Sequence, residues 1–205
     1  MQWEDPIALA DALERSAVIP ARFYSRDPVA VSRELLGKTL VHGKTAGRIV
    51  EVEAYLGVDD LAAHASRGLT DRTRVLFGPP GHAYVYLIYG MYECLNLVAE
   101  PEGKAGCVLV RALEPLSGLR IMRNRRPAAR RPEDLASGPG KLTRAMGITR
   151  SLNGAPVTRG ALQVRDLPGA EPFEIAVSPR IGITHCADWP LRFYIAGSPF
   201  VSKPR

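Results

Sequence analysis

A chain of 205 residues that is 46% hydrophobic and 23% charged carries enough apolar material for one sizeable core, so one domain is expected. No apolar run approaches the roughly 18–20 residues that cross a bilayer, and the first residues, Met1 to Pro6, lack the basic-then-apolar order of a secretion signal, which points to the cytoplasm and away from membranes. The net charge of +6 favours a polyanionic partner, and the three cysteines Cys94, Cys107 and Cys186, odd in number and without a CxxC pair, argue against a disulfide framework or a zinc site and read as small buried residues.

In chain order, Pro6 to Arg15 has helical character but little to tie it to a core, so residues 1–20 are read as a leader, loosely attached, ahead of one domain over 21–205. Asp27-Pro28 sets a capping carboxylate before a proline at the first helical position, and Val29, Val31, Leu35 and Leu36 form the apolar stripe of a helix that ends at Gly37. Strand patterns follow at Thr39–His42 and, after a turn near Gly43-Lys44, at Gly47–Tyr55. There a period of two places Glu51, Glu53 and Tyr55 on one face and Val50, Val52 and Ala54 on the other. Gly78-Pro79-Pro80-Gly81 turns the chain into a strand over His82–Tyr89, and Gly90-Met91 separates it from Tyr92–Val98, so a hairpin is expected. A strand at Cys107–Arg111 precedes a basic helix beginning near Ser117, and the tail gives strand patterns at Phe173–Val177, Ile181–His185 and Leu191–Ala196. This strand-rich order with few helices argues for an α+β fold and against a doubly wound parallel sheet.

Glu53 stands between apolar residues in mid-strand, where a carboxylate is costly without partners or a task. Taken alone, such a residue more often holds a structural salt bridge or faces solvent. Glu51 on the same face would raise the pKa of one acid of the pair by like-charge repulsion. Tyr55, Tyr84, Tyr86, Tyr89 and Tyr92 change the balance, because a working carboxylate among aromatics suits a flat heteroaromatic ring such as a purine. His64, among small residues, could hydrogen-bond a phosphate or a base edge, although a surface histidine is the commoner case; Asn96, in an apolar strand, could read a base edge or satisfy a neighbouring backbone group; and Arg111, closing a strand, could approach a sugar or leaving group. The arginines between Arg120 and Arg131, with Lys141 and Arg144 beyond them, could follow phosphates. Gly37-Lys38-Thr39 and Gly43-Lys44-Thr45 lack the upstream glycine of a phosphate-binding loop, and the histidines show no metal-ligand spacing, so neither a nucleotide cofactor nor a metal is expected.

Several long blocks together resemble the alkyladenine (3-methyladenine) DNA glycosylase family. They are Glu51–Gly57, His64 with Ser66–Gly68, Phe77–Gly81, Tyr84–Tyr92, Asn96, Val110–Pro115, Ser137–Leu142 and Leu191–Pro199, and the likeness runs from about Ala21 to the C-terminus. The resemblance implies a single mixed α+β domain around a curled, open-barrel-like antiparallel sheet with surrounding helices and a protruding β-hairpin. It implies an enzyme that flips alkylated or deaminated purines out of double-stranded DNA and hydrolyses the N-glycosidic bond, as a monomer, without cofactor, metal or obligate protein partner, in the cytoplasm or on the nucleoid. By position, Glu53 resembles the residue that activates water, Arg111 one close to the sugar and water, Tyr55, His64 and Tyr86 the base pocket, Asn96 a contact at the purine edge, and Tyr89 the wedge that fills the vacated stack. Arg72, Arg74, Lys141 and Arg144 are candidates for the DNA backbone. The family often has asparagine where Thr73 stands, and no lysine in these blocks is placed like a Schiff-base nucleophile, which implies a monofunctional enzyme leaving an abasic site.

Overall fold

The computed structural model describes residues 6–168 and 171–203, so residues 1–5 of the expected leader lie outside the described residues. In chain order the elements are α1 (Pro6–Arg15), β1 (Ala17–Val18), α2 (Ala21–Tyr24), α3 (Pro28–Leu35), β2 (Thr39–His42), β3 (Thr45–Tyr55), β4 (Ala83–Ile88), β5 (Tyr92–Val98), β6 (Cys107–Ser117), α4 (Leu119–Arg125), α5 (Pro139–Met146), β7 (Leu162–Asp166), β8 (Ile175–Ser178) and β9 (Arg192–Ile195). The Asp27 cap forms as expected, its Oδ1 accepting from the N–H groups of Val29 and Ala30 at 2.9 and 3.0 Å.

Among the described residues nine strands join one antiparallel sheet, in the order β1-β7-β2-β3-β6-β5-β4, with β9 paired to β3 and β8 paired to β9. This is the curled half-barrel of the expected α+β class. One edge of β3 is shared, pairing with β2 along Thr45–Arg48 and with β9 along Glu51–Glu53, while β6 runs along the other edge. Strand β3 is buried along nearly its whole length, on both of its faces. Val50, Val52 and Ala54 accordingly enter the main core with Leu40, Val110, Leu113 and Leu142. The opposite face carries a second, smaller core of Ala65, Leu76, Tyr84, Val98 and Cys107 beneath the loop that runs from Gly57 to Phe77.

Several expectations change. The strand begun at Cys107 continues to Ser117, so Arg111 lies in mid-strand rather than at its close. Ile181–His185 is no strand: Pro179 and Gly182, at φ +76°, break the extended run, and the Ile181 N–H turns to Glu53 instead of a neighbour's backbone. Four elements had no expectation: β1, α2, α5 and β7. Of the cysteines, Cys94 and Cys107 are buried, but Cys186 is half-buried in a loop at φ +49°. Helix α1 sets Leu9 and Ala12 against Leu167, and Arg165 donates from NH1 to the carbonyls of Leu13 and Ser16 at 3.0 and 2.9 Å. Among the described residues no helix is long and apolar enough to cross a membrane.

The hairpin β4–β5 pairs Ile88 with Tyr92, and its turn centres on Tyr89 and Gly90, both at positive φ (+53° and +69°), with the Met91 N–H returning to the Ile88 carbonyl at 3.2 Å. Tyr89 therefore belongs to the turn, one residue before the expected break, and stands 77% exposed at the tip. The turn end of β5 rests on α5, where a Cβ on Gly140 would come to 2.9 Å from the Tyr92 Cβ. The Ser137–Leu142 block thus brings a helix start hard against the hairpin.

Candidate active site

Around Glu51 the register of β3 against β6 slips, with Glu51 facing Ala112 and Val52 facing Val110, so that Val50 and Arg111 drop out of the pairing. Irregularities of this kind re-aim side chains near functional sites. Here the sheet buries two acids and two arginines side by side: Glu51 and Glu53 are fully buried, and Arg111 and Arg192 nearly so. Arg111 bridges the acids, with Nε 3.0 Å from Glu51 Oε1 and NH1 3.1 Å from Glu53 Oε1. The guanidinium between them offsets the repulsion expected from neighbouring acids on one face.

Glu53 Oε1 also accepts the Ile181 N–H at 2.7 Å, and Oε2 accepts the Tyr55 hydroxyl at 3.1 Å. Burial pushes the Glu53 carboxyl above the usual carboxylate range; Arg111, Ile181 and Tyr55 pull it back, and Glu51 adds a small push upward. Burial likewise holds Tyr55 and Tyr86 un-ionised.

Beside Glu53 lies an aromatic group. Cross-strand pairing sets Tyr84 against Asn96 and Asn96 against Leu109, which in turn faces Glu53, so one row across four strands leads from the acid to Tyr84. Tyr84 and Tyr86 have ring centroids 5.4 Å apart, and the His64 ring stands edge-on to Tyr86 at 4.5 Å with its Nδ1 2.9 Å from the Tyr84 hydroxyl. Burial, with Arg72 and Arg67 nearby, lowers the His64 pKa to about 4, so this imidazole is neutral at pH 7. Tyr55 and Tyr86 pack on the same small core. The fold thus gathers Glu53, Arg111, Tyr55, His64, Tyr86 and Asn96 on one face of the sheet.

Other candidates fall differently. Arg72 is exposed but lies over the aromatic group, with NH2 3.5 Å from His64 Nε2 and its guanidinium 5.7 Å from the Tyr86 ring centre. Arg74 pairs with Asp71 at the surface. On α5, Lys141 Nζ lies 3.3 Å from Ser137 Oγ, and Arg144 Nε donates to the Arg125 carbonyl at 2.9 Å. The Asn96 amide is engaged within the sheet, donating to the Tyr84 carbonyl at 3.3 Å with Cys107 Sγ 3.7 Å from its oxygen. Thr73 is buried and closes its own turn, its hydroxyl accepting the Thr70 N–H and donating to the Gly68 carbonyl, both at 2.8 Å.

The sequence reading missed a second buried pair. Arg180 and Asp60, both fully buried, meet through NH2 and Oδ1 at 2.8 Å, and Arg180 also reaches the Ala54 carbonyl at 3.1 Å and lies 4.6 Å from the Tyr55 ring centre. Burial would raise the Asp60 carboxyl, but Arg180 and the N–H groups of Leu56 and Ala62 hold it below the usual range. Asp60 thereby pins the start of the loop that carries His64. Its partner is 120 residues away, and no local pattern signals it. Asp60→Asn leaves Arg180 buried without an anion and is expected to cost about 3–5 kcal/mol in urea unfolding; a loss below about 1 kcal/mol would show the pair to be dispensable.

Among the described residues no group of histidine, cysteine or acidic side chains is placed to hold a metal ion. The sequence matches the methylpurine-DNA glycosylase family over residues 22–199. It is 56% identical over 191 residues to a protein of Methanoculleus marisnigri (90% of this chain, 98% of the relative) and 54% identical over 194 residues to one of Methanocella arvoryzae (91% and 96%). A protein of Koribacter versatilis is 49% identical over 201 residues (95% and 97%), and all three carry the name "Putative 3-methyladenine DNA glycosylase". With the family's match covering nearly the whole chain that builds this sheet and its buried acids, the protein belongs to the methylpurine-DNA glycosylase family, as a DNA repair hydrolase that removes alkylated bases.

Proposed function

We propose that the protein flips a damaged purine out of duplex DNA and hydrolyses its N-glycosidic bond with a water activated by Glu53, leaving an abasic site. The observation that carries this reading is the placement of Glu53, fully buried and hydrogen-bonded to Tyr55, on the sheet face that also presents Tyr84, Tyr86 and a neutral His64. Extrusion costs a few kcal/mol, least for damaged bases, and stacking between Tyr55, His64 and Tyr86 returns about 1–3 kcal/mol. Uncharged rings are electron-rich walls, suited to a cationic alkylpurine as well as to flat neutral lesions such as hypoxanthine or ethenoadenine.

A cationic 3- or 7-alkylpurine is already a good leaving group, so one carboxylate suffices where glycosidases acting on neutral sugars generally need a second acid. The Glu53 carboxylate, its charge balanced by Arg111, stabilises the oxocarbenium-like sugar as it forms and then takes the proton of the attacking water, whose oxygen bonds to the sugar as the purine leaves. The groups bonded to Glu53 are an arginine, a phenol and a backbone N–H, none of which forms a Schiff base, in keeping with hydrolysis rather than lyase chemistry. Tyr89 serves as the wedge, Asn96 as a contact bordering the purine edge, and Arg72, Arg74, Lys141 and Arg144 as backbone contacts, with Arg72 leaving Tyr86 when a nucleotide enters.

A duplex with a single hypoxanthine, incubated with the protein and then treated with alkali, is expected to break at that position. Intact strands across hypoxanthine, ethenoadenine and alkylated purines would defeat the reading. The base must be ionised and burial raises its pKa, so activity should fall on acidification at a pH above that of an ordinary glutamate, about 4.3. Single-turnover rates between pH 4 and 8 give this limb directly.

A further inference from the structure

The catalytic reading uses Glu53 and Arg111 and leaves Glu51 without a task. Yet Glu51 is the more heavily bonded acid. Its Oε1 accepts from Arg111 Nε at 3.0 Å, Arg192 Nε at 2.7 Å and Ser202 Oγ at 2.7 Å, and its Oε2 accepts the Ser202 N–H at 2.6 Å. Arg192 completes the grip, donating from NH1 to Ser178 Oγ at 3.0 Å and from NH2 to the Ser202 carbonyl at 3.2 Å. Ser202 Oγ, in turn, accepts from Arg111 NH2 at 3.4 Å.

We propose that Glu51, gripped by Arg192 and Ser202, is a positioning residue for Arg111 and sets how much of that guanidinium's positive charge reaches Glu53. The proposal rests on the reading of Glu53 as the base. Each nitrogen of the planar Arg111 fork has a fixed partner, Nε on Glu51, NH2 on Ser202 and NH1 on Glu53, so the group cannot turn without breaking a buried contact. Because Arg192 and Ser202 satisfy most of Glu51, Arg111 is shared between two acids instead of being claimed by one. A base needs this balance: an unshared arginine would make Glu53 too weak a base, and an arginine lost to Glu51 would leave Glu53 protonated. The other groups facing Glu53 are Tyr55 and Glu51 on β3, Cys94 on β5, and Arg180 with the Ile181 N–H on the loop after β8.

Two substitutions move this balance in opposite directions. Glu51→Gln frees Arg111 for Glu53 and removes a neighbouring negative charge, so the acid limb of the single-turnover rate should move to lower pH by about one unit, with a lower plateau. Ser202→Ala takes an acceptor from Arg111 and a donor from Glu51, which then draws more on Arg111, so the limb should move to higher pH by less than that, and Ser202→Thr should restore it. A purely structural cluster would lose stability in both variants and leave the limb in place. An unmoved limb in both, or a shift of the same sign in both, overturns the proposal. Should Glu51→Gln fail to fold, Ser202→Ala alone decides, by whether its limb rises. Glu53→Gln is run alongside: excision by that variant would sink the reading of Glu53 as base, whereas an inert Glu53→Gln with unmoved limbs would sink only the role of Glu51.

Discussion

Glu53→Gln is expected to lose base release by at least 10²–10⁴-fold, the usual share of a general base, while still binding a lesion-containing duplex. The substitution keeps the shape of the side chain. A glutamine oxygen can still accept the Ile181 N–H, now at 2.7 Å, and its amide can donate to the Tyr55 hydroxyl, which then becomes the acceptor. Arg111 keeps its contact with Glu51, which it then shares with Arg192, so some stability is given up but neither arginine is left without an anionic partner. What disappears is a group able to take a proton from water. Single-turnover release from a hypoxanthine duplex and binding to the same duplex by fluorescence anisotropy separate the two effects. Parallel loss of binding and release would make Glu53 a structural residue.

Tyr89→Ser should weaken capture of the lesion by about 5- to 150-fold, the equivalent of the roughly 1–3 kcal/mol that an aromatic–base stack supplies, with no change in thermal midpoint. Tyr89 stands 77% exposed at the hairpin tip, so the folded protein gains little from its ring. Its φ of +53° is an unusual conformation for a residue with a side chain, and it projects the ring off the end of the β4–β5 ladder. A base that leaves the stack opens a gap that such a ring can fill. Fluorescence of 2-aminopurine beside the lesion reports flipping, and a drop in Tm instead would return Tyr89 to a packing role.

Much of this site can be read from the chain because a strand alternates. Once Arg48–Tyr55 is recognised as extended, Glu51, Glu53 and Tyr55 must share a face and Val50, Val52 and Ala54 the other, which the buried sheet reproduces. Tyr84 and Tyr86 follow by the same period, and the Asp27 cap by local hydrogen bonding. The pseudo-alternation at Ile181, Ile183 and His185 shows the limit, since one backbone N–H served an acid 128 residues away better than a sheet neighbour.

Strand period alone does not tell the two acids apart; the family resemblance singles out Glu53, and the tertiary structure supplies the partners by which they differ. Glu51 and Glu53 are equivalent in a two-residue period and differ only in what surrounds them: Arg192 and Ser202 for one, Tyr55 and Ile181 for the other, with Arg111 between. Those partners come from 60 to 151 residues along the chain for Glu51, and Asp60 meets Arg180 across 120. Hydrogen bonds of this kind depend on where separate strands and loops meet, and no local spacing encodes that. The sequence by itself determined the face, the chemistry of its side chains and the family; the closing of β9 and the Phe200–Ser202 segment onto β3 decided the charge environment, because only burial against distant partners sets the energy of an ion.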